Sequence, residues 1–406
     1  MNYIVLGGKR LIKNLNENIE KLKDYLSYRD NLQYDIVELS KALALKNGVL
    51  LKENGDISKL KEMIPEKKHT LFILLDGFGY YKLKSLNDTS ILKQNLKLKM
   101  KTVNPTSTAA VITSVISASY PNEHGIFGWW DYNKELDLSY YPLLLEQRRT
   151  GLTLKEKGIS LDKIFNFKPV FDKYNKKVNI YMSRDLINSD YSKMLAGSNV
   201  SRHGCYSIKE GFETMAKRLA EEEKETFNYF YIAGLDTASH MYGINSKEAN
   251  EIIEATENGI KHLLNEVGDV TVILTADHGQ VDMTSMLYLN QNINFTNYFY
   301  AMPSIDTRMV SFFVREKFRE EFEEKFIEEF GKDVILLKKE EIDKYNLFGS
   351  NNFSKIAYDS LGEYVAVIVN NKFMVCDRIS LDDHMNTKGN HSGLTHEETT
   401  IPLVII

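Results

Sequence analysis

The sequence predicts an α/β protein built around a largely parallel sheet. Two observations carry that prediction. Amphipathic segments alternate with apolar ones: 210–225 feeds a strand starting at Phe227, and 246–267 feeds one starting at Val270. Alternating helices and strands mark a parallel α/β architecture. In addition, three apolar runs each end on an aspartate. Residues 71–75 run into Asp76-Gly77, residues 227–235 into Asp236, and residues 270–276 into Asp277-His278-Gly279. Strands of a parallel sheet release their chains at one edge, where ligands sit.

A chain of 406 residues allows one large domain with insertions or two domains. The hydrophobic fraction of 43% and aromatic fraction of 11% fit a substantial core. With 51 basic and 56 acidic residues the net charge is -5, so direct nucleic-acid binding is not expected. Nucleotide substrates stay open, because a metal can supply local positive charge. Cys205 and Cys376 form neither a paired metal-binding spacing nor a disulfide framework and read as ordinary buried thiols. Residues 1–7 are apolar, but Lys9-Arg10 interrupts them before any long hydrophobic region. No apolar run is long enough to span a bilayer. The expectation is a soluble, cytoplasmic protein with no membrane partner.

Taken in order, residues 11–26 and 36–51 carry apolar side chains at helical spacing, so 1–66 is expected to be a helical extension that packs on the core. Residues 82–101, basic and mixed, are expected to be a helix and connector. Asn104-Pro105 breaks the chain. Residues 109–119 suit a strand or a buried helix by periodicity. A helix is preferred because Thr106–Thr108 supplies an N-cap region after a proline. From about 129 to 205 the chain is expected to form an inserted cap. It has Trp129, Trp130, Tyr140 and Tyr141, then a charged helical stretch over 143–157. Its aromatics either build the cap's own core or stack on a planar substrate group. Between about 300 and 385 a small α+β subdomain is expected: strand 309–314, helix 315–330, strand 334–337, and a hairpin over 364–376 turning at Asn370-Asn371. Residues 401–406 read as a last core strand.

Asp76, Asp236, His240, Asp277, His278 and His391 form the candidate metal centre. Carboxylates and imidazoles gathered at one edge repel and desolvate one another unless a cation holds them. Oxygen and nitrogen donors without thiolate suit zinc, manganese or iron. Six donors exceed the need of one tetrahedral ion and suit two ions sharing a bridging group. Two ions about 3.5–4 Å apart can clamp the attacking and leaving oxygens of a phosphoryl displacement. Asp236 and His240, at i and i+4, share one face of a helical turn. Thr108 supplies a hydroxyl that becomes nucleophilic beside a base or metal and that gains from a helix N-terminus. Ser107 and Thr106 are rivals for that role. His124 is expected to pack the nucleophile helix. His203, His262, His384 and His396 are expected in surface or packing roles, and Arg308 in solvent.

The ordered set resembles the alkaline phosphatase superfamily, most closely its nucleotide pyrophosphatase/phosphodiesterase branch. The matching segments are Leu75-Asp76-Gly77, Pro105-Thr106-Ser107-Thr108, Tyr120-Pro121-Asn122-Glu123-His124-Gly125-Ile126, Asp236 to His240, Asp277-His278-Gly279 and Gly389-Asn390-His391-Ser392-Gly393. The resemblance implies a three-layer catalytic domain over 67–406 that carries the two insertions. It implies two divalent ions, zinc first and manganese as the alternative. Asp236, His240 and His391 would hold one. Asp76, Asp277 and His278 would hold the other, together with Thr108 as an alkoxide. It further implies a phosphoric ester hydrolase acting through a phosphothreonine on Thr108. The substrate would be a small phosphate ester, nucleotides included. Trp129 stands where the family has a phosphate-contacting asparagine and is the candidate substrate contact. No arginine follows the nucleophile closely, which favours diesters over monoesters. The alternatives are a phosphonate hydrolase, a phosphomonoesterase or a phosphotransferase of the same superfamily, or a non-catalytic metal-binding relative. A third possibility is an enzyme serving a nucleic-acid system, with 1–66 as a partner-docking piece.

Overall fold

Seven strands form the central sheet in the computed structural model, which describes residues 8–198, 200–377 and 386–406. They are β1 (His69–Leu75), β2 (Leu96–Lys101), β3 (Lys177–Ser183), β4 (Val200–Cys205), β5 (Thr226–Ile232), β6 (Val270–Thr275) and β7 (Thr400–Ile405). Their order is β2-β7-β6-β1-β5-β3-β4. Strands β1, β3, β4, β5 and β6 are parallel. β7 lies antiparallel between β6 and β2. β1, β5 and β6 are buried at every position, as expected of parallel strands covered on both faces. Leu75 pairs with Ile232 and Leu74 with Thr275, so these three strands end level. Their aspartates therefore emerge at one edge.

Eight helices matter here: α1 (Gly8–Asp30), α2 (Ile36–Lys46), α3 (Gly55–Met63), α4 (Thr108–Ser117), α5 (Ile208–Glu221), α6 (Gly234–Tyr242), α7 (Lys247–Glu266) and α8 (Arg319–Phe330). Ile36, Val37, Leu39, Ile57 and Leu60 of α2 and α3 join the same apolar core as β1. From α1, Leu22 and Tyr25 pack with Ile335 and Val367 in a second core. The Tyr25 hydroxyl accepts from Asn104 Nδ2 at 2.6 Å. Residues 1–7 of the expected extension lie outside the described residues. Among the described residues no helix is long and apolar enough to cross a membrane.

Four expectations about the secondary-structure elements need correction. Residues 96–101 are a strand, not connector: Leu-Lys-Leu-Lys-Met-Lys alternates with period two, and Met100 turns inward. The stretch 143–157 is not helical; it follows and completes a three-stranded sheet of Asp131–Asn133, Leu138–Tyr141 and Glu146–Gln147. The region 129–205 is not all cap either, since it contains β3 and β4. Within β3 the polar Asn179 is satisfied inside the sheet, its Nδ2 donating to Asn228 Oδ1 on β5 at 3.0 Å. Finally, 364–376 is no hairpin. Tyr364–Ile368 joins the sheet of Ser304–Ile305, Met309–Phe312 and Val334–Lys338, whereas Lys372–Val375 pairs in parallel with Ser285–Tyr288.

Arg308 explains that last departure and is itself a correction. It is fully buried, not solvated. Its Nε and Nη2 donate to Glu398 Oε1 and Oε2 at 2.6 and 2.9 Å. Its Nη1 donates to the carbonyls of Asn370 and Lys372 at 2.7 and 2.5 Å, holding the chain open between the two strands. Glu398 also accepts from Gly393 N at 2.8 Å, so the pair anchors the segment after His391. Burial pushes the Glu398 carboxyl up, but Arg308 outweighs it and holds it below its ordinary range. Removing one partner of a buried ion pair typically costs about 3–5 kcal/mol. Arg308→Ala is expected to lower the unfolding free energy by about that amount in urea titrations; a loss under about 1 kcal/mol would show that the pair does not support the fold.

Candidate metal centre

β1 ends at Leu75, and Asp76 N still donates to Ile232 O at 3.0 Å. Gly77 then turns the chain back with φ 76°, a left-handed conformation that suits glycine. The turn aims Gly77 N at Asp277 Oδ1, 2.9 Å away. The same oxygen accepts from His278 N at 2.9 Å. On the other carboxylate, Asp76 Oδ2 accepts from the Tyr231 hydroxyl of β5. That leaves Asp76 Oδ1 and Asp277 Oδ2, both buried and without a hydrogen-bond partner among the described residues. They lie 3.5 and 3.3 Å from His278 Nε2.

β5 ends at Ile232, earlier than the apolar run suggested, so Asp236 sits in the first turn of α6. Its Oδ1 lies 3.3 Å from His240 Nε2 one turn later and 3.5 Å from His391 Nε2. Gln280 Nε2 donates to it at 2.5 Å. Each histidine offers Nδ1 to a peptide carbonyl: His240 to Gly389 O at 2.8 Å, His391 to Thr106 O at 2.7 Å and His278 to Gly279 O at 3.1 Å. A carbonyl can only accept, so these contacts place a proton on Nδ1 of each ring; in the neutral rings of His278 and His391 that leaves Nε2 as a lone pair. That is how metal-binding histidines are held. The His278 and His391 rings stack at 3.7 Å, bringing both Nε2 atoms to the centre.

Two donor triads result, Asp76–Asp277–His278 and Asp236–His278–His391, each with ligand atoms within 4.8 Å of one another. His278 belongs to both, and His240 flanks the second through Asp236. All six sequence candidates therefore converge. Burial, then the charges of Asp277 and Asp236, pushes the Asp76 carboxyl far above its ordinary range. Burial raises Asp277 to about 6. Burial lowers His278 and His391 to about 4, favouring neutral rings. For Asp236 burial acts upward, but His240, His391 and His278 outweigh it and hold the carboxyl low. For His240 burial acts downward, but Asp236 outweighs it and lifts the ring to about 9. Unpartnered carboxylate oxygens facing imidazole lone pairs are a donor set that fits divalent cations of the zinc or manganese type.

Thr108 is the first residue of α4 and is half-buried, with Oγ1 3.2 Å from His278 Nε2. Its rivals point elsewhere. Thr106 Oγ1 donates to Gly393 O at 3.1 Å, and Ser107 Oγ donates to Asp306 Oδ2 at 2.9 Å. Trp129 is exposed and meets Tyr141 edge-on at 6.1 Å; among the described residues no hydrogen bond or ring contact ties it to the donors. His124 is buried against α4, 2.9 Å from Ser114 Oγ. His203 stacks on Tyr181 and His396 on Tyr28. His262 is half-buried on α7, and His384 lies outside the described residues. Sequence reasoning missed Tyr231, Gln280 and Asp306. Gln280, two residues past His278, carried a positional hint; Asp306 carried none.

Residues 70–394 match the family described as type I phosphodiesterase/nucleotide pyrophosphatase. The chain belongs to that family. Its fold is similar to murine ectonucleotide pyrophosphatase/phosphodiesterase 5, with TM-score 0.61 and 15% identity over 83% of this chain and 87% of that one. An inactive threonine-to-alanine variant of the murine protein, solved in complex with AMP, gives 0.60 and 14% over 84% and 87%. Phosphonoacetate hydrolase from Sinorhizobium meliloti, in complex with phosphonoformate, gives 0.56 and 14% over 84% and 91%. No curated protein sequence matches the chain significantly. At these identities the solved structures establish a shared alkaline-phosphatase-like fold. This phosphodiesterase-family chain carries the donors described above at its sheet edge.

Asp236→Asn and His391→Ala are each expected to lower the zinc bound per chain, read by elemental analysis after loading; unchanged stoichiometry would reject the ligand assignment. Zinc at about a hundred times its dissociation constant should stabilise the fold by about 2.7 kcal/mol, and a chelator should abolish that gain in thermal melts.

Proposed function

We propose that the chain hydrolyses phosphodiester or pyrophosphate bonds of small phosphate esters, nucleotides included, with Thr108 as the nucleophile. The observation that carries this reading is the Thr108 hydroxyl, 3.2 Å from His278 Nε2 where the two donor triads meet. Of three adjacent hydroxyls it alone faces the donors.

The chain's own groups prepare the site. Ser107 occupies the N-cap of α4, yet its hydroxyl makes no cap bond because it is turned to Asp306. The first N–H groups of this ten-residue helix thus stay available to a phosphoryl oxygen, where the helix dipole favours negative charge. Asp236, His240 and His391 would hold one divalent ion and Asp76, Asp277, His278 and Thr108 the other. Bound there, the ions supply Lewis acidity toward phosphoryl and hydroxyl oxygens. Thr108 Oγ1 forms a bond to phosphorus as the bond to the leaving oxygen breaks, giving a phosphothreonine. Water then attacks phosphorus, and the threonine hydroxyl is released. The peptide carbonyls behind each Nδ1 keep the imidazoles in register throughout.

Family membership supports the reaction class. A panel of diester, pyrophosphate, monoester and phosphonate substrates tests it directly, and a monoester or phosphonate rate above the diester rate would overturn it. Thr108→Ala should lower kcat by about a thousandfold or more, equivalent to roughly 4 kcal/mol of barrier, with bound metal unchanged. Retained turnover in that variant would reassign the nucleophile.

A further inference from the structure

Asp306 is a carboxylate beside the nucleophile that belongs to neither donor triad. It sits in the turn between Ser304–Ile305 and Met309–Phe312, closed by Asp306 N donating to Met309 O at 2.9 Å. The residue before it is strained. Ile305 has φ 77°, an outlier for a β-branched side chain. Two backbone bonds to Trp130 impose that conformation: Ile305 N to Trp130 O at 2.7 Å and Trp130 N to Ile305 O at 3.1 Å. Gly128 makes room for it, since a Cβ there would stand 2.1 Å from Ile305 O. Strain that the surroundings over-determine marks a position held for function.

What the strained turn holds is the Asp306 carboxylate. Its Oδ2 accepts from Ser107 Oγ at 2.9 Å, one residue before Thr108, and its Oδ1 accepts from Thr307 N at 2.7 Å. Asp306 is half-buried. The next residue of the same turn ties it to the last donor segment: Thr307 Oγ1 accepts from Asn390 Nδ2 at 3.0 Å, one residue before His391, so the turn lies against both the nucleophile loop and that segment.

We propose that Asp306 sets substrate choice at this site, favouring singly charged phosphodiesters over doubly charged phosphomonoesters. The inference rests on the proposed function and deepens it. Near neutral pH a monoester carries close to two negative charges and a diester one. A fixed carboxylate beside the nucleophile repels the extra charge, and a partly buried setting screens that repulsion less than water does. Specificity then comes from disfavouring the wrong substrate as much as from binding the right one.

The test uses zinc-loaded full-length protein with bis(p-nitrophenyl) phosphate and p-nitrophenyl phosphate at about pH 8. Asp306→Asn retains an oxygen acceptor for Thr307 N and a polar partner for Ser107, but removes the charge. It is expected to raise the monoester-to-diester ratio of kcat/KM by about tenfold or more, chiefly by lowering the monoester KM, with zinc content unchanged. Asp306→Glu, which restores the charge, should return the ratio toward that of the wild type. An unchanged ratio in Asp306→Asn would overturn the proposal, as would an equal fall of both rates, which marks a purely positional role. Loss of zinc would also overturn it by making Asp306 a ligand. Absence of turnover of both esters by the zinc-loaded wild type would instead sink the proposed function, and this inference with it.

Discussion

Three carboxylates emerging at one sheet edge set the constraint that the rest of the molecule answers. Asp76 and Asp277 each leave one buried oxygen unpartnered, and Asp236 gathers His240, His391 and Gln280 around a single oxygen. Burying unpaired carboxylates is expensive. The level ends of β1, β5 and β6 make the convergence unavoidable once those strands pair as they do. The fold offsets part of the cost with Gly77 N, His278 N and the Tyr231 hydroxyl, and directs the remaining oxygens and the Nε2 atoms at a common volume.

Orientation comes from the backbone of distant segments. Thr106 O receives both His391 Nδ1 and Ser392 N, which ties the nucleophile loop to the last ligand. Thr106 Oγ1 adds a second tie to Gly393 O. Arg308 and Glu398 clamp the same loop from behind: Glu398 takes Gly393 N, and Arg308 N donates to Ser392 Oγ at 3.2 Å. A side chain in the inserted subdomain therefore helps place a donor of the core. Remote packing and site geometry are hard to separate in such an arrangement.

The sequence was most legible where chemistry repeats a local pattern. An aspartate after an apolar run, an Asp–His pair at i and i+4, and a proline followed by hydroxyl residues all depend on near neighbours. These patterns placed Asp76, Asp236, His240, Asp277 and α4; His278 followed from its place beside Asp277, and His391 from the segment that resembles the family's. Legibility failed where a residue's partner is remote. Asn179 is a polar residue inside β3 whose partner, Asn228, lies 49 positions away. Arg308 reads as solvated until Glu398, 90 positions away, is known to face it. The alternation in 96–101 was available and was outweighed by its lysines. Asp306 owes its place to a turn fixed by Trp130 across the cap, and no local signal could reveal that.

The position of β7 has a consequence for biogenesis. This strand fills the gap between β2 and β6, so the sheet stays divided until residues 400–405 are available to enter it. During synthesis, β6 offers a bare apolar border from the time it emerges until residues 400–405 follow it, over about the last third of the sequence. Such unpaired borders invite association with other chains. A nascent chain of this protein should thus depend on shielding by chaperones, and the sheet edge where the donor side chains converge cannot be completed before residues 400–405 enter the sheet.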